Sequence, residues 1–154
     1  DLLTMQPISL GRRVQIDRIA MRVTSIQPRG AARLGLYAAD AETQQPGALV
    51  VDAGELDLSD FNGDRWRTDN VSLNPGLYWT ACIMKPADVM PIVRRVGGAV
   101  FGHLPTPTLT ELAASAAYRY LSAPQQFGSL PEIAPAMTPD SGTHGPILAL
   151  RRSM

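Results

Sequence analysis

The fold is decided by LNPGLYWTACIM, the stretch from Leu73 to Met84. It contains Asn74-Pro75-Gly76, and the order Pro then Gly suits the two central positions of a type II turn, so we expect a hairpin there. Both faces of the strand that follows are apolar, with Leu77, Trp79, Ala81 and Ile83 on one face and Tyr78, Cys82 and Met84 on the other. A strand that is apolar on both faces belongs in the middle of a sheet.

Strand-like alternation also runs through the residues before this stretch. Between Val14 and Thr24 the apolar residues change parity once, near Asp17 or Arg18, and one extra residue there would reconcile the two faces. We therefore expect a β-bulge at that point, with Arg18 and Arg22 on the solvent side of the strand.

A second change of parity occurs further along the first half. Leu49, Val51 and Ala53 share one face, and the alternation flips at Gly54, which predicts a bend or bulge at that glycine. The pair Pro46-Gly47 just before this strand is a strong turn signal.

The second half of the chain is less regular. Seven of the thirteen prolines lie between Pro105 and Pro146, which predicts that residues 105–146 form a long surface connection. Helical spacing occurs only between Leu109 and Leu121, so we expect at most one short helix. Residues 147–152 are predicted to be a closing strand, and residues 1–10 a linker or arm.

These patterns predict an all-β fold. Short strands at spacings near ten residues, separated by Gly and Pro turns, are typical of an antiparallel β-sandwich of the jelly-roll kind. A chain of 154 residues suits a single domain, so we expect residues 1–154 to share one core.

Composition excludes several classes of function. The 14 basic and 14 acidic residues balance, so there is no overall positive charge to attract nucleic acid. No apolar run approaches the ~20 residues that a membrane helix needs, so we expect no membrane insertion. Cys82 is the only cysteine, which rules out an intrachain disulfide and a cysteine-based zinc site.

The sequence offers no convincing catalytic or metal site. Asp60, Asn62 and Asp64 alternate like the start of a calcium loop, but position twelve would be Val71 rather than a bidentate Glu, so a solvated turn is favoured. His103 and His144 are the only histidines, and neither belongs to a nucleophile motif. We predict no catalytic residue, no metal and no cofactor, and hence that the protein is not an enzyme.

One stretch has the composition of a binding site. In Arg65-Trp66-Arg67 an aromatic ring is flanked by guanidinium groups in a segment expected to be a polar loop, Asp64 to Arg67. Such a ring could stack on a sugar, or pack under the edge of the sandwich. Trp79, in the central strand, is expected in the core. We predict Arg65, Trp66 and Arg67 as ligand-binding residues.

The order of these segments resembles a β-sandwich domain of bacteriophage virion proteins, of the tail-fibre or head or tail appendage type. The resemblance spans most of the chain and is carried by IDRIAMRVTS (16–25), ARLGLYAAD (32–40), PGALVVDAGELDLS (46–59), LNPGLYWTACI (73–83) and PILALRR (146–152). The shared residues form turns and core, so no catalytic residue is carried over.

The resemblance implies a structural or attachment domain located in the virion. It implies other virion proteins as partners, a homo-oligomer with a trimer favoured, and contact with a host-surface polysaccharide. The alternative is a carbohydrate-binding module of a bacterial enzyme, which shares the sandwich architecture. Fold alone does not separate these two functions.

Overall fold

Ten strands make up the part of the chain that the computed structural model describes, namely residues 1–60, 62–85, 91–93, 120–140, 146 and 148–153. The strands are β1 (Leu2–Leu10), β2 (Val14–Ser25), β3 (Ala31–Ala39), β4 (Pro46–Asp57), β5 (Gly63–Leu73), β6 (Gly76–Met84), β7 (Ile92–Val93), β8 (Tyr120–Pro124), β9 (Thr138–Asp140) and β10 (Leu148–Arg152). No helix occurs among these residues, and the all-β prediction is confirmed.

The strands form two antiparallel sheets packed as a β-sandwich. The large sheet has the order β4-β3-β6-β1-β8-β9, and the small sheet has the order β10-β2-β5. The short strand β7 pairs with β2 on the side of β10, because Val23 already pairs with Gly63 of β5 on the other side. The two sheets thus share a wide contact face.

The space between the sheets holds the first of two hydrophobic layers. Strand β2 contributes Ile19 and Met21, which are 0% and 2% exposed, and Leu34 of β3 and Cys82 of β6 face them from the large sheet. Burial raises the pKa of the Cys82 thiol to about 12, so this side chain behaves as a small apolar group. The layer buries the inner faces of both sheets.

The second layer lies on the opposite face of the large sheet. Trp79 and Tyr37 are fully buried there, beside Leu3 and Met5 of β1. Residues 125–137, which connect β8 to β9 and are called the covering segment below, lie over them. Strand β6 is therefore buried on both faces and sits in the interior of the sheet, as its sequence predicted.

Specific hydrogen bonds hold the covering segment on the sheet. The Asp52 carboxylate accepts from the Leu130 amide at 3.1 Å, and the Tyr37 hydroxyl donates to the Pro131 carbonyl at 2.8 Å. Gly35 makes room for Leu130, because a Cβ at that position would collide with the leucine side chain. The segment is thus fastened to both β3 and β4.

Both predicted bulges are present, and further register shifts occur. The β2–β5 register shifts between Ile16 and Arg18, and the β3–β4 register shifts opposite Gly54, whose φ is +83°. A further shift at Val50 turns Leu49 to the outer layer, so the expectation that Leu49 shares a face with Val51 is wrong. Each bulge changes which alternate residues of the strand point to a given face of the sheet.

Several expectations about chain organisation are corrected. Residues 1–10 are not a linker or arm, because β1 lies between β6 and β8. Asn74-Pro75 does not close a hairpin, because β5 and β6 belong to different sheets. The described part of the 105–146 connection includes β8, whose Tyr120 and Leu121 are buried, so it does not merely cross the surface.

Three further expectations concern the closing strand, the predicted helix and the two histidines. Strand β10 occupies the position of the predicted closing strand. Of the predicted helix, residues 109–119 lie outside the described residues, and Tyr120 and Leu121 begin β8. His103 and His144 also lie outside the described residues.

Replacing Trp79 by Ala tests the two-sided burial of β6. Trp79 is 0% exposed and its Nε1 donates to the Gln44 carbonyl at 3.1 Å. The variant loses the buried ring and leaves a cavity, so we expect the free energy of unfolding to fall by about 3–5 kcal/mol. Denaturant titration measures this, and an unchanged midpoint with an unchanged slope would contradict the assignment.

Replacing Asp52 by Asn tests the fastening of the covering segment. Burial by itself would raise the pKa of Asp52, but hydrogen bonds from Arg33, Gly54 and Leu130 and the Arg33 charge outweigh it and hold the pKa below its usual value. The ionised carboxylate therefore adds stability that is present above the ordinary aspartate pKa and lost as pH falls through the lowered one.

We expect D52N to lower the free energy of unfolding by about 1–3 kcal/mol at neutral pH, since it removes hydrogen bonds to a charged, mostly buried group. The difference from wild type should shrink below about pH 4. Glu42→Gln, an exposed carboxylate in the β3–β4 turn, is the control. If the difference in unfolding free energy between D52N and wild type does not change with pH, the ionised Asp52 carboxylate does not stabilise the fold.

Candidate functional site

The register between β2 and β5 decides which side chains reach the outer face of the small sheet. Ala20 pairs with Trp66, and Ile19 and Met21 pair with Arg67 and Arg65. Successive side chains of a strand point to opposite faces. Since Ile19 and Met21 face the large sheet, Arg65 and Arg67 share that inner side, while Trp66 lies on the outer face.

The three predicted ligand-binding residues therefore lie on two different faces of the small sheet. Residues 64–67 are not a loop but lie within β5, and Trp66 is 45% exposed on the open face. The Arg67 Nε donates to the Ala53 carbonyl of β4 at 3.0 Å, and an Arg65 guanidinium nitrogen lies 3.6 Å from the Asp60 carboxylate. Ligand contact at Arg65, Trp66 and Arg67 stays a prediction, but the two arginines line the edge of the sandwich and not the open face that carries Trp66.

The arginines that lie near Trp66 are Arg18 and Arg22 of β2 and Arg151 of β10, and not its neighbours in sequence. The bulge at Asp17 brings Arg18 to the outer face, where its backbone pairs with Arg151 of β10 on one side and Thr68 of β5 on the other. Arg22 lies four residues further along the same face, with Ala20 between them. The ring is thus flanked by side chains that are distant from it in sequence.

Between these arginines the surface is concave. Ala149 of β10, Ala20 of β2 and Trp66 of β5 lie side by side across the three strands. Two small side chains next to a large ring leave a trough of about 620 Å³ over the sheet. We call this surface the trough; Trp66 forms its wall and the two alanines its floor.

Two of the flanking arginines are held by carboxylates. Arg22 donates from Nε and from a terminal nitrogen to the two Asp64 oxygens at 2.6 and 2.7 Å. Arg151 donates to both Asp17 oxygens at 2.8 and 2.6 Å. These hydrogen bonds hold the pKa of Asp64 and of Asp17 below the usual range, and the charge of Arg18 also contributes at Asp17.

The third arginine has no such partner. The Arg18 guanidinium carbon lies 4.9 Å from the centre of the Trp66 ring, at cation–π distance. Among the described residues no carboxylate oxygen lies within 4.0 Å of Arg18, and its solvent-shielded Nε has no hydrogen-bond acceptor there. The trough therefore has one guanidinium whose charge is not matched by a carboxylate.

The other sequence candidates have ordinary structural roles where they are described. The Asn62 side-chain oxygen accepts from the Ile26 amide at 3.1 Å, and Asp64 is occupied by Arg22. No group of three metal-ligating acidic, His or Cys side chains occurs among the described residues. The predicted absence of a metal stays a prediction for the whole chain.

The sequence signal for the trough was incomplete. Alternation placed Arg18 and Arg22 on the solvent side of β2, but nothing local indicated that Trp66 would lie beside Arg18. Ala149 and Arg151 come from a strand that is distant in sequence, so only the register of β10 on β2 reveals them.

Comparison with known proteins gives no further identification. Neither family models nor curated proteins nor solved structures match this chain. Among the described residues no helix is long and apolar enough to cross a membrane.

Replacing Trp66 by Ala tests whether this ring belongs to the surface. It is 45% exposed, and its described ring contact is with Arg18, so we expect the free energy of unfolding to fall by less than about 1 kcal/mol. Denaturant titration beside Trp79→Ala gives the comparison. A loss as large as that of the Trp79 variant would place Trp66 in the core.

Proposed function

We propose that this β-sandwich is a non-catalytic attachment module that binds a saccharide in the trough. The observation that carries the proposal is a half-exposed Trp66 beside an alanine floor, with arginine side chains on both sides. At 45% exposure the Trp66 ring leaves apolar surface available to a ligand in the trough.

The trough has the features that sugar recognition requires. The indole ring presents an apolar face for the C–H groups of a sugar ring. Arg22 and Arg151 are already held by bidentate pairs, so little side-chain freedom remains to be lost when they meet a ligand. A volume of about 620 Å³ lies in the range of small-molecule sites and would admit one or two sugar rings.

The carboxylates beside the trough support binding rather than hydrolysis. A glycosidase needs one carboxylic acid that is protonated near neutral pH. Asp17 and Asp64 are both paired with arginines that lower their pKa values, so both are ionised there. Neither is suited to donate a proton to a glycosidic oxygen.

The virion setting rests on the resemblance described above. In a phage tail fibre or head or tail appendage, several copies of a weak trough on a symmetric homo-oligomer would bind a host surface by avidity. A carbohydrate-binding module of a bacterial enzyme is the alternative, and it would use the same trough as a monomer. The mass in solution distinguishes the two settings.

The test is binding of wild type, Trp66→Ala and Ile133→Ala to purified bacterial capsular and envelope polysaccharides. Ile133 is 66% exposed on the covering segment, away from the trough, so its variant controls for the loss of any exposed apolar side chain. We expect wild type and the Ile133 variant to bind the same polysaccharide, and the Trp66 variant to lose at least about tenfold in affinity.

Equal binding by all three proteins would move the contact surface away from the trough. Absence of binding to every polysaccharide by folded wild-type protein would overturn the saccharide proposal.

A further inference from the structure

The charges around the trough do not balance. Three guanidiniums, those of Arg18, Arg22 and Arg151, flank it, against two carboxylates, Asp17 and Asp64. Each carboxylate is taken up by a bidentate pair with Arg22 or Arg151. The positive charge left over belongs to Arg18, on the central strand of the small sheet.

The position of Arg18 makes this charge available to a ligand on the ring. Its guanidinium carbon lies 4.9 Å from the centre of the Trp66 ring, and the side chain lines the trough. Its Nε has no acceptor among the described residues.

We propose that the saccharide bound in the trough carries a carboxylate, as uronic and sialic acids do, and that Arg18 is the residue that receives it. This inference rests on the proposed function. A carboxylate matches the planar fork of a guanidinium and supplies the single negative charge that the trough lacks. A doubly charged phosphate would exceed the single positive charge that is left unmatched.

The experiment compares matched ligands on wild-type protein. Oligogalacturonate and oligosialic acid are each titrated beside their carboxyl-reduced counterparts, which keep the linkage and ring but lack the charge. An otherwise neutral oligosaccharide that carries one sulfate ester is included, because it has a single negative charge on a group of different shape. Ionic strength is kept at about 0.15 M so that long-range attraction between exposed charges is screened.

We expect at least one acidic oligosaccharide to bind about tenfold or more tightly than its reduced form. Arg18→Gln should abolish that difference, so that the variant binds the acidic oligosaccharide and its reduced form with equal affinity. Arg18→Lys should retain part of the preference, because it keeps the charge but loses the planar fork. Arg12→Gln, in the turn before β2 and outside the trough, removes the same charge elsewhere and should behave as wild type.

The outcomes separate this inference from the proposed function. If neutral saccharides bind in the trough as tightly as the acidic ones, the carboxylate inference fails and the attachment function stands. If the sulfated ligand binds best, or if Arg12→Gln weakens binding as much as Arg18→Gln, recognition is of charge in general and the inference also fails. If folded wild type binds no saccharide, both fail.

Discussion

The structure depends on the burial of β6 on both of its faces. Trp79 fills the outer layer of the large sheet, and Cys82, on the opposite face, fills the layer between the sheets. A strand of this kind must be covered twice, so the small sheet packs on one side and the covering segment on the other. An interior position suits such a strand, because the layers on the two faces of the large sheet then cover it completely.

The covering segment shows how a stretch with little regular structure can become part of a core. Its apolar side chains Phe127, Leu130, Ala134 and Met137 pack in the outer layer. Hydrogen bonds add to the apolar contact. The Asp52 carboxylate accepts from the Arg33 guanidinium and from the Leu130 amide, and the Tyr37 hydroxyl donates to the Pro131 carbonyl. Backbone hydrogen bonds from Leu49 to Glu132 and from Ala134 to Gly47 add to these side-chain contacts, so the segment is held at several points along its length.

The same bulge that lets β2 pack also builds the trough. By inserting one residue near Asp17, the strand turns Ile16 and Ile19 both toward the core and presents Arg18 on the outer face. Trp66 lies beside it because β5 is in register with β2, and β10 adds the second alanine of the floor. A change of one residue in the β2–β5 register would turn Trp66 to the inner side of the small sheet and Arg65 and Arg67 to its outer face, so the proposed site and the core share one constraint.

The sequence by itself determined the features that depend on alternation along one strand: the all-β class, the interior position of β6, and the bulges near Asp17 and Gly54. Such features are local, because the side-chain period of a strand is fixed by its backbone. Tertiary structure decided which strands are neighbours. It made residues 1–10 an interior strand, placed β5 and β6 in different sheets, and separated Trp66 from its sequence neighbours Arg65 and Arg67. These outcomes depend on pairing between residues far apart in the chain, which no local pattern contains.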